Sequence, residues 1–229
     1  YSQQPMQNIV VKNITGKDFR VRDPANSSSF FTTAYISRDF FPGGATQYDP
    51  SVPGIKYQIE DLMITDIILT DVDMGVNIGD ENDANVRGVR ISGVRIENDP
   101  QSGGNSATDG MAVVNSENVL IDHCRIENIR DDGIDCKAVD VAVVNSRIQG
   151  TGRNGIKFWH NAEVINTIVF ACCPINDGTV IFESGPGRLI HSLLIGTTEG
   201  YAGTLNYGAT GTEKLEVINT VFSELRHNF

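Results

Sequence analysis

Three carboxylates fall within five residues at Asp131-Asp132-Gly133-Ile134-Asp135. A related stretch, Thr108-Asp109-Gly110-Met111, precedes it by 23 residues, and Arg153-Asn154-Gly155-Ile156-Lys157 follows it by 22. If these stretches stack, Asp109, Asp131, Asp132 and Asp135 meet on one patch with Lys157 beside them. Like charges held that close raise one another's pKa or recruit a cation. A donor set made only of carboxylate oxygens at a loop edge suits calcium better than zinc. A lysine next to a bound cation is a candidate general base. The plainer chemistry is that turn Asp and Asn side chains hydrogen-bond local backbone. Asp135 and Lys157 would then form a surface ion pair worth under about 1 kcal/mol.

A repeat supplies the elements that would bring these residues together. The pattern Ile64-Thr65-Asp66-Ile67-Ile68-Leu69 returns as Ile91 to Ile96, Ile121 to Ile126 and Val143 to Ile148. It recurs again at Val164 to Val169, Leu189 to Leu194 and Val217 to Phe222, with a weaker copy in Asn8 to Phe19. A second short apolar-polar alternation follows most copies, opened by Gly75, Gly110, Gly133, Gly155 and Gly203. Period-two alternation means strand. Short strands recurring every 21 to 30 residues, with no helix between them, describe a solenoid. We expect an all-β fold, a single-stranded parallel β-helix of about 7–8 coils, as one domain over 1–229.

The segment Asp23 to Gly54 breaks the pattern. Rich in Ser, Pro, Gly and aromatics, it reads as a long loop insertion with a strand at Phe30 to Ser37. The chain opens on Tyr1, so a mature form or a fragment is expected. Bare solenoid ends expose strand edges, so caps, a partner chain or self-association through the ends are expected too.

Stacking adjacent coils about 4.8 Å apart puts Met111, Ile134 and Ile156 in one inward column. Ala112, Asp135 and Lys157 share an outward column, and Val114, Lys137 and Trp159 another. Asp109, Asp132 and Asn154 form a column at the strand start, preceded by Asp131 and Arg153. Trp159 serves either as a sugar-stacking platform or as a packed surface aromatic. His160 follows it and is placed to touch a sugar ring. His123 and His191 stand where other copies carry Asn145, Asn166 and Asn219, so both are read as structural.

The chain has 229 residues with a net charge of -11 and a pI near 4.7. That balance excludes nucleic acid as the expected partner, since phosphate binding needs a basic face. An acidic polysaccharide stays open, because a bound cation reverses the local field. No run of about 18 apolar residues marks a membrane span. The four cysteines, Cys124, Cys136, Cys172 and Cys173, match no zinc spacing. Cys124 and Cys136 lie in strand patterns as small hydrophobes, and a vicinal Cys172-Cys173 disulfide is not favoured.

The pattern resembles right-handed parallel β-helix proteins such as pectin-degrading enzymes and phage tailspikes, over about residues 57 to 229. The acidic motif resembles that of polysaccharide lyase family 9, the calcium-dependent pectate lyases. Such enzymes place an Asp-Asp-Gly-x-Asp stretch, and an Asp one coil earlier, around calcium. The matching residues are Asp131, Asp132, Asp135 and Asp109. Their lysine base lies in an Asn-Gly-Phe-Lys type motif, matched by Asn154-Gly155-Ile156-Lys157. The resemblance implies β-elimination on a uronic-acid polymer, with Arg153, Lys137, Trp159 and His160 contacting substrate. It implies an extracellular or cell-surface protein. Thr108-Asp109-Gly110 and Asp131-Asp132 also resemble motifs of family 28, the polygalacturonases, but Arg153-Asn154-Gly155 replaces their Gly-His-Gly. A third reading is a non-catalytic adhesin or tailspike-type carbohydrate-binding scaffold.

Overall fold

The computed structural model describes residues 6–17, 59–72, 74–79, 86–98, 109–170, 172, 178–196, 205–207 and 214–223. They form 18 strands and no helix, joined in one sheet whose pairings are all parallel. The chain winds through three strand positions per coil, and the strands at each position stack into a ladder. This is the parallel β-helix expected from the repeat. Among the described residues no helix is long and apolar enough to cross a membrane. The segment at about 23–54, with the strand expected at Phe30 to Ser37, lies outside the described residues.

The first ladder contains β3 (Val76–Ile78), the opening of β6 (Met111–Asp122) and the opening of β8 (Ile134–Val144). It continues through β10 (Ile156–Phe158), β13 (Val180–Phe182) and β16 (Leu205–Tyr207). The register runs Val76, Met111, Ile134, Ile156, Val180, Leu205. The second ladder runs through β1 (Met6–Lys17), β2 (Ile59–Thr70), β4 (Val86–Ser92), the later parts of β6 and β8, β11 (Ala162–Ile165), β14 (Gly187–Ile190) and β17 (Leu215–Ile218). Its column Val11, Ile64, Ile91, Ile121, Val143, Val164, Leu189, Val217 counts eight coils. The third ladder contains the ends of β1 and β2, then β5 (Arg95–Glu97), β7 (Arg125–Glu127), β9 (Arg147–Gln149), β12 (Ile168–Phe170), β15 (Leu193–Ile195) and β18 (Val221–Ser223).

Alternation explains the core. Each inward column is apolar, and Ile64, Ile91, Ile121, Val143, Val164 and Leu189 are fully buried. A parallel strand buries one face here and leaves the other for solvent, so a one-residue slip would turn the whole set outward. In the first ladder Phe158 and Phe182 stack with ring centroids 5.3 Å apart. Cys124, Cys136 and Cys172 are buried free thiols. Cys173 lies outside the described residues, and with it the disulfide question.

The corner between second and third ladders is built identically in every coil. Asn13, Asp66, Gly93, His123, Asn145, Asn166, His191 and Asn219 all take positive φ there. Asn, Asp, His and Gly tolerate this left-handed conformation better than other residues, which accounts for both histidines. Asn166 Nδ2 donates to Asn145 Oδ1 at 2.8 Å, and Asn145 Nδ2 to Asp122 Oδ1 at 3.0 Å. The next residue turns inward. From Ser146 on it is a hydroxyl that bonds across coils: Cys124 N donates to Ser146 Oγ, Ser146 N to Thr167 Oγ1, and Thr167 N to Ser192 Oγ.

Candidate acidic site on the first ladder

Length variation along the chain singles out the first ladder. The corner between second and third ladders spans two residues after each of β4, β6, β8, β11, β14 and β17. Connections flanking the first ladder vary widely. Those leading into it run 71–75, 98–110, 128–133, 150–155, 171–179 and 196–204, and those leaving it include 79–85, 159–161, 183–186 and 208–214. In repeat folds such insertions collect around the binding face.

The short connections 128–133 and 150–155 carry the acidic motif and its successor. They enter their strands through glycine because coils approach closely: a Cβ on Gly133 would stand 2.6 Å from both Gly155 O and Ile148 Cγ2. Just before the glycines the side chains form a hydrogen-bonded column. Asp132 N donates to Asp109 Oδ1 at 3.2 Å. Asn154 N and Nδ2 both donate to Asp132 Oδ1, at 2.9 and 2.7 Å. Gly178 N donates to Asn154 Oδ1 at 2.9 Å. Each side chain thus caps a backbone N–H of the following coil.

Asp131 joins Asp109 and Asp132, each offering an oxygen within 4.8 Å of the others. Arg153 Nη1 lies 3.1 Å from Asp131 Oδ1. Asp132 is buried, while Asp109 and Asp131 are half-buried. Burial, then the charges of Asp132, Asp135 and Asp131, push the Asp109 carboxyl up to about 7. Burial also raises Asp132, against the two Asn154 hydrogen bonds that lower it. Such crowding is relieved either by a proton or by a cation. Two oxygens on one calcium at about 2.3–2.6 Å stand no more than about 5 Å apart, so the three carboxylates fit that ion in type and spread.

Asp135, expected as a fourth ligand, is outside this tight group. Its Oδ1 accepts the Trp159 indole N–H at 2.8 Å, and Lys137 Nζ lies 4.0 Å from its Oδ2. Burial raises its pKa, opposed by the Trp159 bond and by Lys137 and Lys157. Asp135 and Lys157 are register partners. The ion pair of Lys157 nevertheless runs the other way, with Nζ 3.3 Å from Glu183 Oε1 on the next coil. The simple Asp135–Lys157 pair is therefore replaced by a longer chain of contacts. Lys157 Nζ also sits 4.5 Å from the Trp159 ring centroid, and Lys137 Nζ 5.5 Å from it. Trp159 is 38% exposed, and His160 lies exposed at the corner beyond it.

Sequence reasoning missed Glu183 and Gly178. The coil that bears them opens on Thr179, whose carbonyl accepts Ile156 N where other coils use glycine. Aligning on glycine passes over that coil. Its strand Val180-Ile181-Phe182 still keeps the alternation, and Glu183 falls in the column of Lys137 and Trp159.

A family model described as right handed beta helix region matches residues 53–200. No curated protein and no solved structure matches the chain.

Proposed function

The chain belongs to the right-handed β-helix family, and from that premise we propose that it is a calcium-dependent lyase of a uronic-acid polymer. The supporting observation is the convergence of Asp109, Asp131 and Asp132 within 4.8 Å, with the Asp135–Trp159–Lys157 contacts beside them. Asp109, Asp131 and Asp132 would hold the ion, with Asp135 at its edge. Bound there, calcium would neutralise a uronate carboxylate and make the neighbouring C5 proton more acidic.

The chain's own residues supply the rest. Lys157 Nζ takes the C5 proton on its lone pair. The C5–H electron pair forms the C4–C5 double bond, and the C4–O bond breaks with its electrons on the departing oxygen, which gains a proton from solvent. Arg153 and Lys137 put cationic groups around an otherwise acidic site, as a polyanion requires. Trp159 and His160 border the sugar path. A polymer substrate fits an extracellular or cell-surface protein.

The test uses polygalacturonate and alginate, with calcium or with chelator, and follows the absorbance of unsaturated uronides. We expect a calcium-dependent rise that Lys157→Ala abolishes. Silence on a broad panel of uronate polymers would sink the lyase.

One observation favours a second reading. Asp109, Asp132 and Asn154 already bond the backbone of the next coil, which is sufficient employment in a non-catalytic carbohydrate-binding scaffold. Glycan binding that survives Lys157→Ala, with no product formed, would select it. The inverting hydrolase reading fares worse. Its acid and base stand about 6.5–9.5 Å apart to admit a water, whereas each of these three acids offers an oxygen within 4.8 Å of the others, and Arg153-Asn154-Gly155 stands in place of the Gly-His-Gly of that family.

A further inference from the structure

Lys157 projects from the outer face of the first ladder, yet its side chain is only 14% exposed. Its register neighbours are Asp135 on the preceding coil and Ile181 on the following one. Ile181 is buried and offers no polar side-chain atom. The polar contact from that coil comes from Glu183, two residues further on, at 3.3 Å from Nζ. The Trp159 ring closes another side at 4.5 Å. Trp159 is in turn fixed by its N–H bond to Asp135 at 2.8 Å. Glu183 is anchored at the backbone, where its N–H donates to Phe158 O at 2.8 Å.

We infer that Glu183 is a positioning residue for Lys157, clamping its amine against the Trp159 face beside the acidic cluster. This rests on the lyase reading for its role in turnover. A lysine side chain is flexible along its four-carbon stem, so a free base of this kind would spend most of its time away from C5. Glu183 and Trp159 remove that freedom from two sides. Glu183 does not belong to the carboxylate group that would hold calcium. Its loss should therefore disturb the base and spare the metal.

Trp159 is the only tryptophan of the chain, so its emission reports the clamp with no metal or substrate present. In metal-free protein, Glu183→Ala should move the emission toward that of Lys157→Ala, because an ammonium held over an indole perturbs it. Glu183→Gln, which keeps an acceptor of equal reach, should move it less. In turnover on polygalacturonate, Glu183→Ala should lower kcat on the order of 100-fold, the scale of a misplaced reacting group. KM should stay unchanged, and Glu183→Gln should recover part of kcat. Calorimetric titration with calcium alone should give the wild-type affinity for both variants. Emission indifferent to Glu183→Ala overturns the clamp whatever the activity. Unchanged kcat in an active protein overturns the positioning role. A wild-type protein silent on uronate polymers, with emission still dependent on Glu183, removes the lyase reading and the role in turnover, and leaves an ion pair alone.

Discussion

Replacing Asp109 by Asn should change how the protein's stability depends on pH, in a direction the site dictates. Burial and the neighbouring Asp132, Asp135 and Asp131 raise the Asp109 carboxyl from 3.8 to about 7. Its proton is therefore bound more tightly in the folded chain than in the unfolded one. The stability this proton confers is complete below pH 3.8 and is lost as pH rises through about 7. At about 1.4 kcal/mol per pH unit, the loss across that window is about 4 kcal/mol. The amide of D109N would have no proton to lose and would still offer an Oδ1 to Asp132 N, the bond seen at 3.2 Å. The assay is urea unfolding of both proteins in chelator from acid to mildly alkaline pH. The difference between wild type and D109N reports this carboxyl together with its repulsion on Asp131, Asp132 and Asp135. D109N should become the more stable protein as pH rises through about 7. If the cluster holds calcium as proposed, the ion should stabilise wild type at the alkaline end more than D109N, which has one carboxylate fewer. A stability difference that is flat with pH would refute the account of the cluster as uncompensated charge.

Asn154→Ala should destabilise by about 2–3 kcal/mol in the same unfolding experiment, because a buried Gly178 N–H and the Asp132 carboxylate lose partners together. Gly133→Ala should cost at least about 2 kcal/mol, or fail to fold, since the new Cβ meets a backbone oxygen 2.6 Å away. At the corner, Asn166→Ala should cost about 1–2 kcal/mol while Asn166→Gly stays near wild type; equal melting temperatures for the two would contradict the left-handed backbone as the cause.

The fold was largely legible because a solenoid repeats its instructions. The inward Ile/Val columns, the glycines that open the first-ladder strands and the Asn, Asp or His at the second corner each recur in phase. The stacked columns Asp109–Asp132–Asn154 and Asp135–Lys157 followed from that phase alone. What did not follow was where side chains reach once stacked. Asp135 turns to the Trp159 indole, and Lys157 turns to the coil after it. Those choices depend on rotamers and on a neighbour, Glu183, whose coil lacks the glycine signal. The plainer expectation, that turn acids hydrogen-bond backbone, does hold for Asp109 and Asp132, each of which accepts an amide of the next coil.

The invariant two-residue corner has a consequence for how such a chain can change. One residue added there would flip every following side chain of the coil, turning its Ile and Val columns to water. Within this chain, length varies instead beside the first ladder, where 98–110 and 196–204 differ in length from 128–133. Segments beside the first ladder can therefore change length with no coil needing to be refolded to accommodate them.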